Sequence, residues 1–127
     1  MYYMGEASIR HMEGVDFNLK QIAYRALTLS KIDFGIPSTG GLRTTEQQQE
    51  LYKTGKSKAD GVHNLSKHQL GQALDFYAYV DGKASWEEKH LVQIAAAFLQ
   101  AASDLGVSIK WGGFFRSFTD MPHIELN

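Results

Sequence analysis

Apolar residues recur with a helical period in two parts of the chain, and the intervals between them mark out the remaining elements. After Asn18, the residues Leu19, Ile22, Ala23, Ala26 and Leu27 fall on one face, which predicts a helix to about Ser30. A longer stripe of Leu91, Ile94, Ala95, Phe98, Leu99, Ala102 and Leu105 follows Ser85-x-x-Glu88, a spacing that fits a capping box. Gly106 stands where a helix-ending glycine belongs. A shorter helix is expected from Thr44, where Thr44-x-x-Gln47 also fits a capping box, to a point before Gly55.

Strand signals fill the gaps. Phe34 and Ile36 suggest a short strand stopped by Pro37 and the Ser38-Thr39-Gly40-Gly41 turn cluster. Leu74 to Val80 reads as one strand leading into an Asp81-Gly82 hairpin turn. Val107, Ile109 and Trp111 alternate as another, and His123 to Leu126 forms the last. Residues 1 to 15 show no clear period and are expected to form an irregular arm, and residues 54 to 67 a polar loop of functional length. The pattern predicts an α+β fold in which two or three helices accompany a small, mostly antiparallel sheet. At 127 residues without internal repeats, it is expected to form a single domain with no further domain appended.

Composition removes several classes of function. A net charge of −1 leaves no basic excess to neutralise phosphates, so sequence-independent nucleic-acid binding is a poor reading. Cysteine is absent, which excludes disulfides, thiol catalysis and thiolate metal sites, and any transition metal must be held by His, Asp or Glu. No run approaches the ~18 apolar residues of a membrane span. The opening segment lacks the apolar core of a signal peptide, so a cytoplasmic product is expected.

The residues that could carry chemistry lie in the second half. His68 and Asp75 bracket a glycine-containing turn, and His123 lies near the last residues, a set competent for a catalytic zinc ion. Taken singly, each also fits a solvated surface group. Asp75 stands out because it opens the apolar run Phe76-Tyr77-Ala78-Tyr79, where partial burial would demand a metal or a cation. Asp120 precedes His123 by a turn containing Pro122 and could serve as a general base. Glu125 shares a strand face with His123, as a second base or as support for its imidazole. His63, His11 and His90 read as solvated histidines.

Ser66-x-His68-x-x-Gly71-x-Ala73-x-Asp75, followed by Asp120-x-x-His123, resembles the M15 group of zinc peptidases, within it the phage L-alanyl-D-glutamate endopeptidases that act as endolysins. Gly41-Leu42-Arg43-Thr44 and Trp111-Gly112-Gly113 are similar to further stretches of that family, although Leu42 and the short segment between Trp111 and Asp120 depart from it. The resemblance implies an M15 peptidase fold in which His68, Asp75 and His123 bind Zn2+ and Asp120 is the catalytic base. It further implies that Arg43 binds a substrate carboxylate or the oxyanion, with Gln48, Ser66 and Trp111 near the peptide. The implied substrate is the stem peptide of peptidoglycan. The implied setting is a monomer, without nucleic acid or membrane insertion, that reaches the wall after a separate membrane-permeabilising protein releases it. Two rivals are a D,D-carboxypeptidase or D-Ala-D-Ala dipeptidase of the same fold, and a non-catalytic zinc-containing binding module.

Overall fold

The computed structural model describes residues 2–127. Four α-helices are present: α1 (Glu6–His11), α2 (Phe17–Leu29), α3 (Thr45–Lys53) and α4 (Glu88–Leu105). The strands are β1 (Asp33–Gly35), β2 (Ala73–Asp75), β3 (Tyr77–Val80), β4 (Lys83–Ser85), β5 (Ile109–Trp111) and β6 (His123–Leu126), with a 3-10 turn at Gly112–Phe114. They form two antiparallel three-stranded sheets, ordered β1-β3-β4 and β2-β6-β5. The expected α+β class is therefore present, with one more helix and one more sheet than the sequence pattern indicates.

The apolar stripes of α2 and α4 pack on each other and on the sheets. Leu19, Ile22, Ala23, Ala26, Ile94 and Phe98 are fully or almost fully buried. At the centre, Phe98 lies with its ring centroid 5.2 Å from those of both Phe34 and Phe76, so α4, β1 and the β2–β3 junction share one aromatic cluster. Asp16 caps α2 by accepting from the backbone N–H of Asn18 and Leu19, and Thr44 and Gln47 form the expected capping box on α3. Gly106 ends α4 in the left-handed conformation at φ 71°.

Three expectations are corrected. Residues 1 to 15 are not an irregular arm: α1 lies among them, and Met12 and Val15 are core residues. Six residues are too few to display a period, and tertiary bonds hold this helix in place of intrinsic propensity. Ser8 Oγ accepts from the Ile36 N–H at 2.9 Å and the His11 ring donates to Ile36 O at 2.6 Å. The Leu74–Val80 run is two strands in different sheets. At the junction the Phe76 N–H bonds to Pro122 O, outside either ladder. Ser85 does not cap α4, because pairing with Ala78 draws it into β4 and leaves Glu87 at the cap without a side-chain bond.

For function, the decisive pairing is β2 with β6, which sets Asp75 directly opposite His123. Asp75 alternates with Leu74 and Phe76, both at 0% exposure, so the core fixes the direction in which the carboxylate points. The segment from Gly40 to Arg43 then ties the second ligand-bearing stretch to the first. Gly40 O accepts from the Asp75 N–H at 2.8 Å and the Arg43 N–H donates to His68 O at 3.1 Å. Gly41 lies so close to His11 O at the end of α1 that a Cβ there would collide with it. Gly41→Ala is expected to cost about 1–3 kcal/mol in a urea denaturation, as overpacking does. Gly5→Ala, where nothing lies within 4 Å of the added atom, should stay within about 0.5 kcal/mol of the parent.

Candidate metal centre

Three donor atoms converge at the floor of a cleft between the turn before β2 and the start of β6. His68 Nε2 and His123 Nδ1 are 3.3 Å apart, and each lies close to Asp75 Oδ1, at 3.2 and 3.1 Å. His68 and His123 are buried, at 2% and 7% exposure. Among the described residues, these form the one group of three or more His, Asp or Glu able to share an ion.

The far side of each donor group is held by the protein. The His68 Nδ1–H donates to Gly41 O at 3.0 Å, which leaves Nε2 as the lone-pair atom. The His123 Nε2–H donates to Glu125 Oε1 at 2.8 Å and leaves Nδ1 free. Asp75 Oδ2 accepts from Arg43 at 2.9 Å, so Oδ1 faces the two rings. These partners set both histidine tautomers for ligation. The donor spacing also fits: four-coordinate zinc with bonds of ~2.0–2.1 Å separates its ligand atoms by roughly 3.3 Å. The residues present therefore suit the ion that the family resemblance implies.

Electrostatics agree with a cation at this point. Burial disfavours the charge on Asp75, yet bonds from His123 and His68 hold its carboxyl well below the usual range. Burial likewise works against a charged His123, but its bonds to Asp75 and Glu125 outweigh that and carry the ring up to about 9; the Nδ1 proton that then faces Asp75 is the one a metal ion would displace, while Nε2–H stays on Glu125. The His123 bond in turn lowers Glu125. Asp120 behaves differently. Its Oδ2 is 3.8 Å from His123 Nδ1, and burial, then the charge of Asp75, push its pKa up.

The turn bearing Asp120 is built by the Trp111-Gly112 pair. The Trp111 indole N–H donates to Met121 O at 2.6 Å, and Gly112 O accepts from the Asp120 N–H at 2.9 Å. A Cβ on Gly112 would collide with Asp120 O, so only glycine lets the two segments approach this closely. Trp111, expected near the peptide, is buried at 8% exposure and braces this turn.

Arg43 lines the cleft with its guanidinium bonded to the protein, and Gln48 is buried behind it. Arg43 donates through Nε to Thr39 O, through one terminal nitrogen to Gln48 Oε1 and through the other to Asp75. Gln48, at 0% exposure, also donates to Ser57 Oγ and Ala59 O, both at 2.8 Å. A continuous chain of bonds thus runs from the 54–67 loop through Gln48 and Arg43 to Asp75. Ser66 lines the cleft, which has a volume of about 300 Å³. Its walls include Lys56, Lys58, Phe115 and Phe118, none of which the sequence motifs single out.

The remaining histidines lie outside the centre. His63 is exposed and pairs with Asp60 at 3.3 Å, His90 bonds Ser85, and His11 holds α1. Asp60 accepts from the backbone N–H of Asn64, Val62 and His63, which lowers its pKa to about 2 and shapes the loop turn.

Two imidazoles and one carboxylate that could hold one metal ion, with a second carboxylate 3.8 Å from one of the rings, fit the class of mononuclear metallohydrolases on a small α+β frame. Comparison with known proteins narrows the class. The sequence model of the phage L-alanyl-D-glutamate peptidase family matches residues 1–127, and the chain belongs to that family. It is 32% identical over 126 residues to the L-alanyl-D-glutamate peptidase of Escherichia phage T5, covering 98% of this chain and 89% of that one. It is 29% identical over 99 residues to the peptidoglycan L-alanyl-D-glutamate endopeptidase CwlK of Bacillus subtilis, covering 69% of this chain and 58% of CwlK. The crystal structure of the L-Ala D-Glu endopeptidase ChiX of Serratia marcescens superposes with a TM-score of 0.85 at 32% identity, over 96% of this chain and 87% of that one.

Breaking the bond chain at Gln48 tests its reach. Gln48→Leu should raise amide exchange at residues 57 to 61 and weaken metal affinity by about tenfold, the usual scale for groups that support a ligand. Titration with a competing chelator and hydrogen exchange measure the two effects separately.

Proposed function

We propose that the protein is a zinc-dependent endopeptidase that cuts the L-Ala–D-Glu bond of peptidoglycan stem peptides. His68, Asp75 and His123 are the ligands in this reading and Asp120 is the base. The observation that carries it is the set of outward partners, Gly41 O, Glu125 and Arg43, which leave Nε2, Nδ1 and Oδ1 turned to one point. Membership of an L-alanyl-D-glutamate peptidase family supplies the bond.

His68, Asp75 and His123 would hold a zinc ion, which would supply Lewis-acid chemistry at the scissile carbonyl and to a water beside it. Asp120, 3.8 Å from the His123 Nδ1 donor and with a raised pKa, accepts the proton of the attacking water at its carboxylate and returns it to the leaving amine. Glu125 holds the His123 ring in its ligating tautomer. Arg43 acts through Asp75, since three of its N–H groups are committed to Thr39, Gln48 and Asp75. Ser66 remains available to the peptide on the cleft wall.

No helix among the described residues is long and apolar enough to cross a membrane. The phage relative is the ground for the further part of this proposal, a monomer that reaches the wall after a separate membrane-permeabilising protein opens the way.

Digestion of purified peptidoglycan followed by mass spectrometry tests the reading. New L-Ala carboxyl and D-Glu amino ends should appear, vanish with chelator and return with zinc. Release of terminal D-Ala alone would replace it by the carboxypeptidase reading. Asp120→Ala should reduce turnover by ~10²–10⁴-fold with zinc still bound. Glu125→Ala should instead lower zinc affinity and regain activity when zinc is added; the reverse pattern would exchange the two roles.

A further inference from the structure

The residue that follows the scissile bond in an L-Ala–D-Glu substrate has a distinctive charge. Its amino group is consumed by that bond and one carboxyl by the onward peptide, so its other carboxyl is left as a free carboxylate or capped as a carboxamide. A group so near the scissile bond must fall within the same cleft of about 300 Å³. Arg43 lines the cleft but is half-buried and has its guanidinium engaged by Thr39, Gln48 and Asp75. Lys67 is half-buried and donates to Leu126 O at 3.2 Å.

Lys56 and Lys58 remain. Both are exposed, both line the cleft, and neither is paired with a carboxylate among the described residues. They are not carried on a free loop. Gln48 donates to the Ser57 hydroxyl and the Ala59 carbonyl beside them, so their positions are tied to the same bond chain that orients Asp75. Lys58 Nζ sits 5.4 Å from the ring centroid of Phe118, which places its charge toward the opposite wall. A lysine ammonium is a point charge with rotatable donors, suited to a carboxylate whose orientation varies along a flexible peptide.

We propose that Lys56 and Lys58 form a carboxylate subsite that favours substrates whose glutamyl residue keeps its free carboxylate over those in which it is a carboxamide. The proposal rests on the endopeptidase reading given above. It makes the two lysines specificity determinants for that reaction.

The test uses the zinc-loaded protein and two synthetic stem peptides that differ only in the glutamyl carboxylate or carboxamide. The parent protein should favour the acid by about five- to tenfold in kcat/KM, chiefly through KM, and the preference should shrink as salt is added. In the K56Q/K58Q variant the ratio should fall toward one with zinc content intact, whereas Lys83→Gln, on exposed β4, should keep the parent ratio. A parent that cleaves both peptides equally, or a double variant that retains the preference, overturns the subsite alone. Failure to cleave either peptide overturns the endopeptidase reading, and the subsite falls with it.

Discussion

A carboxylate drawn largely out of water at Asp75 is the constraint around which the molecule is arranged. Its neighbours Leu74 and Phe76 are completely buried, so the side chain cannot turn away to solvent without dismantling the aromatic centre of the core. Burying a charge in this way is costly unless other groups compensate. Arg43 meets one oxygen, and the His68 and His123 rings meet the other. Each compensating residue is then fixed by something further out: Arg43 by Thr39 and Gln48, His68 by Gly41, and His123 by Glu125. An unfavourable burial at one atom thereby becomes a requirement on the 39–43 segment, the 54–67 loop and β6 together.

The division of labour within the site follows from this arrangement. Residues that a motif would place against substrate, Arg43, Gln48 and Trp111, are mostly consumed in holding other residues. The cleft itself is walled by side chains of little motif value, including lysines on the loop and phenylalanines after the 3-10 turn. Chemistry and recognition are thus separated. The floor is a rigid, internally bonded donor set, and the walls are side chains that can change without disturbing it.

How much of this the sequence discloses depends on whether the cause is local. The helices α2, α3 and α4 were legible because period, caps and the terminating Gly106 act within a few residues. The convergence of His68, Asp75 and His123 was legible through spacing and family likeness, and the Glu125 partnership through strand alternation. What stayed hidden depends on distant chain. α1 exists because Ile36 bonds to it, Leu74–Val80 divides because two sheets compete for it, and Ser85 leaves its capping role because Ala78 pairs with it. The inward turn of Gln48 belongs to the same class, since nothing beside it in sequence marks Ser57 and Ala59 as its partners.

The β2-β6-β5 order has a temporal meaning. The middle strand of that sheet is the last in sequence, so β2 and β5 are not neighbours and have no ladder until residues 123 to 126 slide between them. Pairing across such separations is slow to nucleate compared with helix formation. A chain that has already formed α2 and α4 would still present Asp75 and His68 without His123, and the donor set would be incomplete. The donor set is therefore complete only once β6 has joined β2, the strand nearly fifty residues upstream.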